Sequence, residues 1–237
     1  MRIALDATPL TVPSGGTRRY VVELTRALAA QFPDDEFHLL SDQTSWARPA
    51  EFRSFPNIVT TAPSWRGFRG MWWSSGLAWE SRRRGIEIFH GTDFSIPYLP
   101  LRPSVMMVHD LSPWKRGPAR ARDAGRVRSR TPYLLRMATM ILTPTEAIRR
   151  ELSRAFGVSP ARIRAVPLAA ASSFGAASQV APESDTKKTW GTKETGETGD
   201  TKGESGGGPQ IPKPYLLCVG TREPRKNIAR LIEAWRI

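Results

Sequence analysis

Short apolar runs alternate along the chain with longer stretches in which apolar residues recur at every third or fourth position. Arg2 to Ala7 reads as a strand, and "TPLTVPSGGTRR" follows as a loop punctuated by proline and glycine. From about Thr17 to Gln31 the period lengthens. Val21, Leu24 and Leu28 share one face while Glu23 and Arg26 turn away, which predicts an amphipathic helix. Glu36 to Leu40 and Asn57 to Thr60 read as the second and third strands. "GMWWSSGLAWESRRRG", from Gly70 to Gly85, is a helix candidate, and strands are predicted at Ile86–Phe89 and Ser104–Val108. Arg126 to Ala138 has helical spacing, and "TMILT" is a further short strand. In "TPTEAIRRELSRAFGV", Thr143 is positioned to cap, Pro144 to take the first helical position and Glu146 to close a capping box. Ile148, Leu152 and Phe156 then share a face, Gly157 supplies the stop, and Ile163 to Val166 returns as a strand. Strand, loop, helix and strand in sustained alternation predict an α/β domain on a parallel sheet.

The pattern breaks at Ser178. Ser178 to Gly208 has one aromatic and almost no aliphatic residues, with four lysines against six acidic residues. Such a segment cannot offset its own ordering entropy and is expected to be a polar linker or insertion. The expected organisation is therefore a folded domain over 1–177, a low-complexity linker over 178–210 and the start of a second domain over 211–237. The last piece reads as a single unit: a strand at Tyr215–Val219, a turn at Gly220, and Ile228, Leu231, Ile232 and Trp235 at helical spacing. One such unit cannot bury its own apolar faces, so it is expected to be incomplete.

Charge narrows the partners. The chain carries a formal +13, and the linker contributes −2 of its own, so the folded parts hold the excess. Arginine dominates, which suits bidentate contact with phosphate or carboxylate and points to an anionic partner. The single cysteine, Cys218, excludes an intrachain disulfide framework and sits in an apolar strand, where a buried inert thiol is expected. Met1 leads directly into the first strand without a signal-peptide pattern, and no apolar run reaches bilayer length. A cytoplasmic protein is expected, with any membrane contact made from its surface.

Four places carry candidate chemistry. In "PSGGTRRY", Gly15 and Gly16 offer backbone N–H groups just before a helix, with Arg19 beside them, an arrangement suited to a phosphate. It matches neither the dinucleotide fingerprint nor the P-loop, and a glycine pair before a helix is also simply a good turn. His109 and Asp110 follow the apolar strand "SVMMV", at a strand end where open α/β sheets bind ligands. Asp110 orients the histidine or caps the next turn, and His90 occupies the equivalent position one strand earlier. In "GTREPRKN", Arg222, Arg225 and Lys226 cluster ahead of a helix start, with Asn227 a candidate cap. Trp72, Trp73 and Trp79 with Arg82, Arg83 and Arg84, and the run Arg120, Arg122, Arg126, Arg128 and Arg130, suit an anionic membrane or a nucleic acid, or pack and face water respectively. No metal-ligand spacing is present, and Asp6, Asp93 and Asp110 are scattered in sequence.

Taken in order, "DATPLTVPSGGTRRYVVELTRAL", "FHGTDFSIPYLP", "VMMVHDLSPW", "ILTPTEAIRRELSRAFGVSPARIRAVPLA" and "PYLLCVGTREPRKNIARLIEAW" resemble the hallmark stretches of the family-four retaining glycosyltransferases. The resemblance covers nearly all of the chain outside the linker. It implies an α/β, Rossmann-like parallel-sheet lobe carrying the first strand and helix of a second Rossmann-like lobe, that is, a truncated GT-B fold. It also implies a mannosyltransferase-like role in cell-surface polysaccharide assembly. By position, Gly15 and Gly16 fall beside the donor diphosphate and acceptor, His109 near the transferred sugar as the catalytic residue, and Lys226 with Arg225 on the donor phosphates. His90, Asp110, Thr145 and Glu146 are further candidates for substrate contact.

The implied reaction moves a hexose from a nucleoside diphosphate sugar to a glycan or polyprenyl-linked acceptor with retention. It uses no permanently bound cofactor and no metal. Its main physical demand is stabilisation of charge on the departing diphosphate. Three departures qualify the expectation. Thr221 stands where many relatives have arginine, the paired glutamates of the second lobe do not occur before Ile237, and "PLAAASSFG" stands where the first lobe usually ends in a Pro-Asn-Gly-Val-Asp-like turn. The chain by itself is thus expected to be inactive or nearly so. The readings that compete are a non-catalytic nucleotide- or nucleic-acid-binding module, which gives no reason for the His109–Asp110 pair, and another enzyme on the same fold.

Overall fold

The computed structural model describes residues 1–11, 15–43, 46, 48–61, 70–99, 101, 103–114, 123–169 and 228–235. Within it lie seven strands: β1 (Arg2–Asp6), β2 (Glu36–Leu40), β3 (Ile58–Thr61), β4 (Ile88–Gly91), β5 (Ser104–Met107), β6 (Met140–Thr143) and β7 (Ile163–Ala165). They form one sheet in the order β3-β2-β1-β4-β5-β6-β7, and every neighbouring pair is parallel. Parallel neighbours require crossovers, and α1 (Gly16–Gln31), α2 (Leu77–Arg83), α3 (Asp123–Met137) and α4 (Glu146–Phe156) lie in four of the six connections, those after β1, β3, β5 and β6. The chain first builds outward from β1 to β3 and then returns to build from β4 to β7. The connection direction therefore reverses between β1 and β4, and the carboxyl ends of the strands at such a reversal are where open α/β sheets bind ligands. This is the Rossmann-like lobe.

The two faces are buried by alternate residues of the same strands. Leu5, Phe37 and Leu39 pack with Val21, Val22 and Ala29 of α1. Their neighbours Ala4 and Leu40, with Phe89, Met106 and Ile141, pack instead with Leu77 of α2, Leu134 and Leu135 of α3, and Leu152 of α4. Burial of both faces explains why these strands read as continuous apolar runs. Each fully buried side chain of this size stabilises the fold by about 1.5–3 kcal/mol.

Several boundaries differ from the sequence reading, each for a tertiary reason. Ile86 and Glu87 are not in a strand: their N–H groups donate to the Ser81 and Arg2 carbonyls at 2.9 and 2.8 Å, and pairing starts at Ile88 opposite Ile3. His90 consequently lies inside β4, not beyond it. The α4 cap is Thr145, whose Oγ1 accepts from the Ile148 N–H at 3.2 Å, and Glu146 is the first helical residue. Thr143 is held in β6, where its carbonyl accepts from Val166 N–H, and this delays the helix by two residues. Gly157 terminates α4 at φ 64, in the left-handed region glycine favours.

The tryptophan segment is a π turn (Trp72–Gly76) running into α2. Trp72 is 3% exposed and Trp73 packs on the same core, whereas Trp79 is 43% exposed. Packing beneath the sheet thus accounts for two of these three tryptophans.

The chain divides into two compact units, Met1–Arg116 with Arg120–Ala177, and Gly117–Ala119 with Ser178–Ile237. In the second unit the helix Ile228–Trp235 is described, with Leu231, Ile232 and Trp235 exposed. The strand read at Tyr215–Val219, Cys218, the linker, and Arg222, Arg225, Lys226 and Asn227 lie outside the described residues, as do Arg120 and Arg122.

Candidate active site at the carboxyl edge

The candidate site is built from the ends of β1, β4 and β5 and the first turn of α1. Because the sheet is parallel, α1 leaves from the same edge at which β5 delivers His109. Gly15 stands just before the helix at φ 137, and α1 starts without a side-chain cap, so its first N–H groups are left to other partners. Arg19 is exposed in the first turn. About one turn on from Gly16 comes Tyr20, which carries the contact with the strand ends. Its ring meets the His109 imidazole edge-on, with centroids 4.9 Å apart and planes at 87°. Its hydroxyl lies 3.1 Å from Nε2 of His90. The glycine turn and His109 therefore share one edge of the sheet, with Tyr20 between them.

His109 is half-buried, and its Nε2 donates to the Thr92 carbonyl at 2.9 Å. Thr92 in turn donates through Oγ1 to the Asp6 carbonyl at 2.9 Å, tying the loop after β4 to the end of β1. That loop turns tightly. Phe94 adopts φ 52, its N–H donating to the Met107 carbonyl, and a Cβ on Gly91 would lie 1.6 Å from the Ser95 carbonyl oxygen. Only glycine permits so close an approach of backbone to backbone.

The electrostatics follow from burial. His90 is pushed down to about 4, first by loss of water and then by the neighbouring His109, so it is neutral at pH 7. Burial raises the Tyr20 phenol to about 12 and keeps its proton in place. Asp6 is 3% exposed, and its carboxyl is raised to about 6 by burial, against the lowering effect of hydrogen bonds from Thr8 Oγ1 and N–H at 2.6 and 3.0 Å. Loss of water also raises Asp93, with Asp110 acting in the same direction and His109 opposing; its exposed surface tempers the effect. Asp110 Oδ1 accepts from Ser112 N–H at 2.8 Å, so it caps the following turn. Thr145 and Glu146 stand at the same edge after β6. Their side chains serve α4: Thr145 as its cap, and Glu146 through a 2.6 Å pair with Arg149.

The sequence reading named His109, His90, Gly15 and Gly16, which the fold assembles. It passed over Tyr20, which was absent from the apolar helical face, and it set Asp6 and Asp93 aside as scattered. The missing signal was strand order, since β4 lies beside β1 only in the folded sheet. Three shallow surface hollows of about 410–590 Å³ are lined by other residues, on α4, at the amino edge of β1 and β2, and beside Arg136 and Arg162. Their linings bring together no buried titratable cluster, and the chemistry concentrates instead around His109. Among the described residues no group of three or more His, Cys, Asp or Glu is placed to hold a metal.

A profile of Glycosyltransferase Family 4 matches residues 14–170, which run from the glycine turn through β7 and include Tyr20, His90, Thr92 and His109. The chain belongs to Glycosyltransferase Family 4. No curated protein sequence matches it. Among solved structures it is similar to the lipopolysaccharide outer core galactosyltransferase WaaB in its apo form, with 14% identity and a TM-score of 0.47 over 72% of this chain and 46% of that one. The chain thus spans less than half the length of that structure. The family match takes in Gly15, Gly16, Tyr20, His90, Thr92 and His109, so the carboxyl edge is the part of this Family 4 chain on which a functional reading rests.

Proposed function

We propose that the protein is a retaining hexosyltransferase, mannosyltransferase-like, acting in cell-surface polysaccharide assembly. It takes the hexose from a nucleoside diphosphate sugar and passes it to a hydroxyl of a glycan or polyprenyl-linked acceptor. One observation carries the reading: a glycine-led helix start and His109 meet, through Tyr20, at the carboxyl edge beside the β1/β4 reversal, within the stretch that matches Family 4. The first N–H groups of α1 face the charge that develops on the departing diphosphate, and His109 takes a hydroxyl of the transferred sugar. By their place in the family's motifs, Arg225 and Lys226 are assigned to the donor phosphates, and Arg19 to the phosphates or the acceptor.

The test is binding first and turnover second. Titration of the 237-residue chain with GDP-mannose and UDP-glucose is expected to give saturable binding that weakens in Lys226→Ala. In turnover assays the product is expected to keep the anomeric configuration of the donor, and His109→Ala to lower kcat by on the order of a hundredfold. An inverted product, or an His109→Ala variant of undiminished rate, overturns the reading.

A peripheral place at the cytoplasmic face of a membrane belongs to the same proposal. Trp79 is exposed, the Arg83 guanidinium lies 5.6 Å above its ring, and Arg82 is exposed beside it. No described helix is long and apolar enough to cross a membrane. Arg82→Glu with Arg83→Glu is expected to release the protein from vesicles containing phosphatidylglycerol; unchanged binding rejects the surface. A nucleic-acid partner predicts instead a steep loss of oligonucleotide binding with salt in the same protein.

A further inference from the structure

Nothing in the proposed reaction requires Tyr20, yet Tyr20 makes the closest ring contact to His109 that the structure gives. A carbonyl oxygen can only accept, so the 2.9 Å contact with Thr92 requires the proton of neutral His109 to sit on Nε2. The other nitrogen, Nδ1, is then an acceptor. At Nδ1 a histidine so arranged receives a hydrogen bond from a hydroxyl and does not donate one. What keeps the ring in that orientation is a question of its walls. A ring flip exchanges Nδ1 for Cδ2 and swings Nε2 off the carbonyl, and the edge-on Tyr20 ring stands in the way. Tyr20 is itself pinned through its hydroxyl to His90, which is 8% exposed within β4.

We infer that Tyr20 is a positioning residue: its ring, anchored through its hydroxyl on His90, locks His109 on the Thr92 carbonyl and so presents Nδ1 as an acceptor at the carboxyl edge. The groups around His109 are Tyr20 from α1, His90 from β4, Asp93 from the loop after β4 and its own neighbour Asp110. Neither carboxylate can accept from Nδ1 while the imidazole is neutral, so the lock leaves that nitrogen for a hydroxyl. That the hydroxyl belongs to a sugar rests on the proposed function; the lock itself does not.

The chain has three histidines, so ring nitrogen spectra of protein labelled with 15N-histidine contain three sets of signals. At about pH 8, above the ordinary imidazole range, His109 is expected as the Nε2–H tautomer with roughly tenfold preference, the size one hydrogen bond supplies. Tyr20→Phe keeps the ring and removes the hydroxyl. It is expected to move the His90 signals and leave the His109 tautomer in place. Tyr20→Leu removes the wall, and the two His109 nitrogens are expected to converge as the preference falls to within about threefold. Where Tyr20→Leu does not fold, Tyr20→Met takes its place.

A His109 that carries its proton on Nδ1 in the unaltered chain overturns the inference, and so does an unchanged tautomer in Tyr20→Leu or Tyr20→Met. Addition of GDP-mannose or UDP-glucose is expected to move Nδ1 and not Nε2. A locked His109 whose Nδ1 ignores both sugars counts against the transferase reading and leaves the lock standing.

Discussion

The two edges of the one sheet are built on opposite electrostatic plans. At the amino edge, charge is abundant, paired and wet. Arg2 Nε meets Glu36 at 3.1 Å, the backbone N–H of Arg2 donates to Glu87 at 2.7 Å, and the Met1 ammonium meets Asp35. The Glu36 carboxyl is held below its ordinary value chiefly by a hydrogen bond from His38 and next by Arg2. At the carboxyl edge, two ionisable groups, Asp6 and His90, are buried. Both are moved toward their neutral forms, and the loop after β4 adopts a positive φ at Phe94. Water and counter-charge satisfy the first edge for little gain in stability. The second maintains groups that are costly to ionise, as a site for binding and proton placement requires.

The largest expected effect tests the tightest point of the carboxyl edge. Gly91→Ala places a methyl where the Ser95 carbonyl already stands, and no side-chain movement relieves it. Stability is expected to drop by about 3 kcal/mol or more, read as the midpoint of urea unfolding. A variant within 0.5 kcal/mol of the parent, roughly the surface-substitution scale, denies the close approach.

The next effect sets two buried groups of that edge against each other. The Asp6 carboxyl titrates at about 6 when folded against an ordinary 3.8, so the folded chain holds its proton more tightly. Its contribution is present at low pH and is lost as pH rises through the window from about 4 to 6. His90 titrates at about 4 when folded against an ordinary 6.5, so its contribution is present near neutrality and is lost as pH falls through nearly the same window. Each displacement corresponds to about 3 kcal/mol. The two slopes oppose, and the pair should leave stability nearly flat there. Asp6→Asn should uncover a fall on acidification, and His90→Gln a fall on alkalinisation. Parallel pH profiles for the two variants would show that the groups are not buried as a pair.

Smaller again is the exception at the amino edge. Glu80 is 1% exposed near the end of α2, and its Oε1 receives Arg84 Nε at 2.6 Å and Arg83 at 3.0 Å. Arg84→Ala removes the 2.6 Å contact from a buried carboxylate and is expected to cost about 2 kcal/mol. Arg82→Ala, on the exposed face beside it, should stay within about 0.5 kcal/mol. Equal effects for the two would erase the distinction between buried and wet charge. The smallest effect belongs to the Arg2–Glu36 pair: Glu36→Gln is expected to leave the unfolding midpoint unchanged at physiological salt. A clear loss would mean the amino edge is more than solvated charge.

Most of the lobe was legible along the chain. Apolar runs and helical periods located the strands and helices described, and the position of His109 after an apolar run placed it at the carboxyl edge proposed as the site. The errors came where neighbours distant in sequence decide. Ile86 and Glu87 continue the alternating apolar and polar pattern of a strand, but the Ser81 and Arg2 carbonyls claim their N–H groups. Thr143 satisfies the spacing of a capping box, but the pairing of β6 with β7 holds it in the sheet, and Thr145 caps instead. Trp72, Trp73 and Trp79 are alike as a string, and only packing separates the buried pair from the exposed third.

What the sequence determined by itself was periodicity, and periodicity is local. The spacing of apolar side chains selects helix or strand within a few residues and, repeated, selects a parallel α/β lobe. Which chemistry meets which was decided by the tertiary structure. Tyr20 reaches His90 across 70 residues, and Thr92 reaches the Asp6 carbonyl across 86. Both contacts exist because the chain reverses its direction of growth at β1 and lays β4 against it. Strand order is chosen by the burial of whole faces at once, a sum over the sheet that no short stretch of sequence contains.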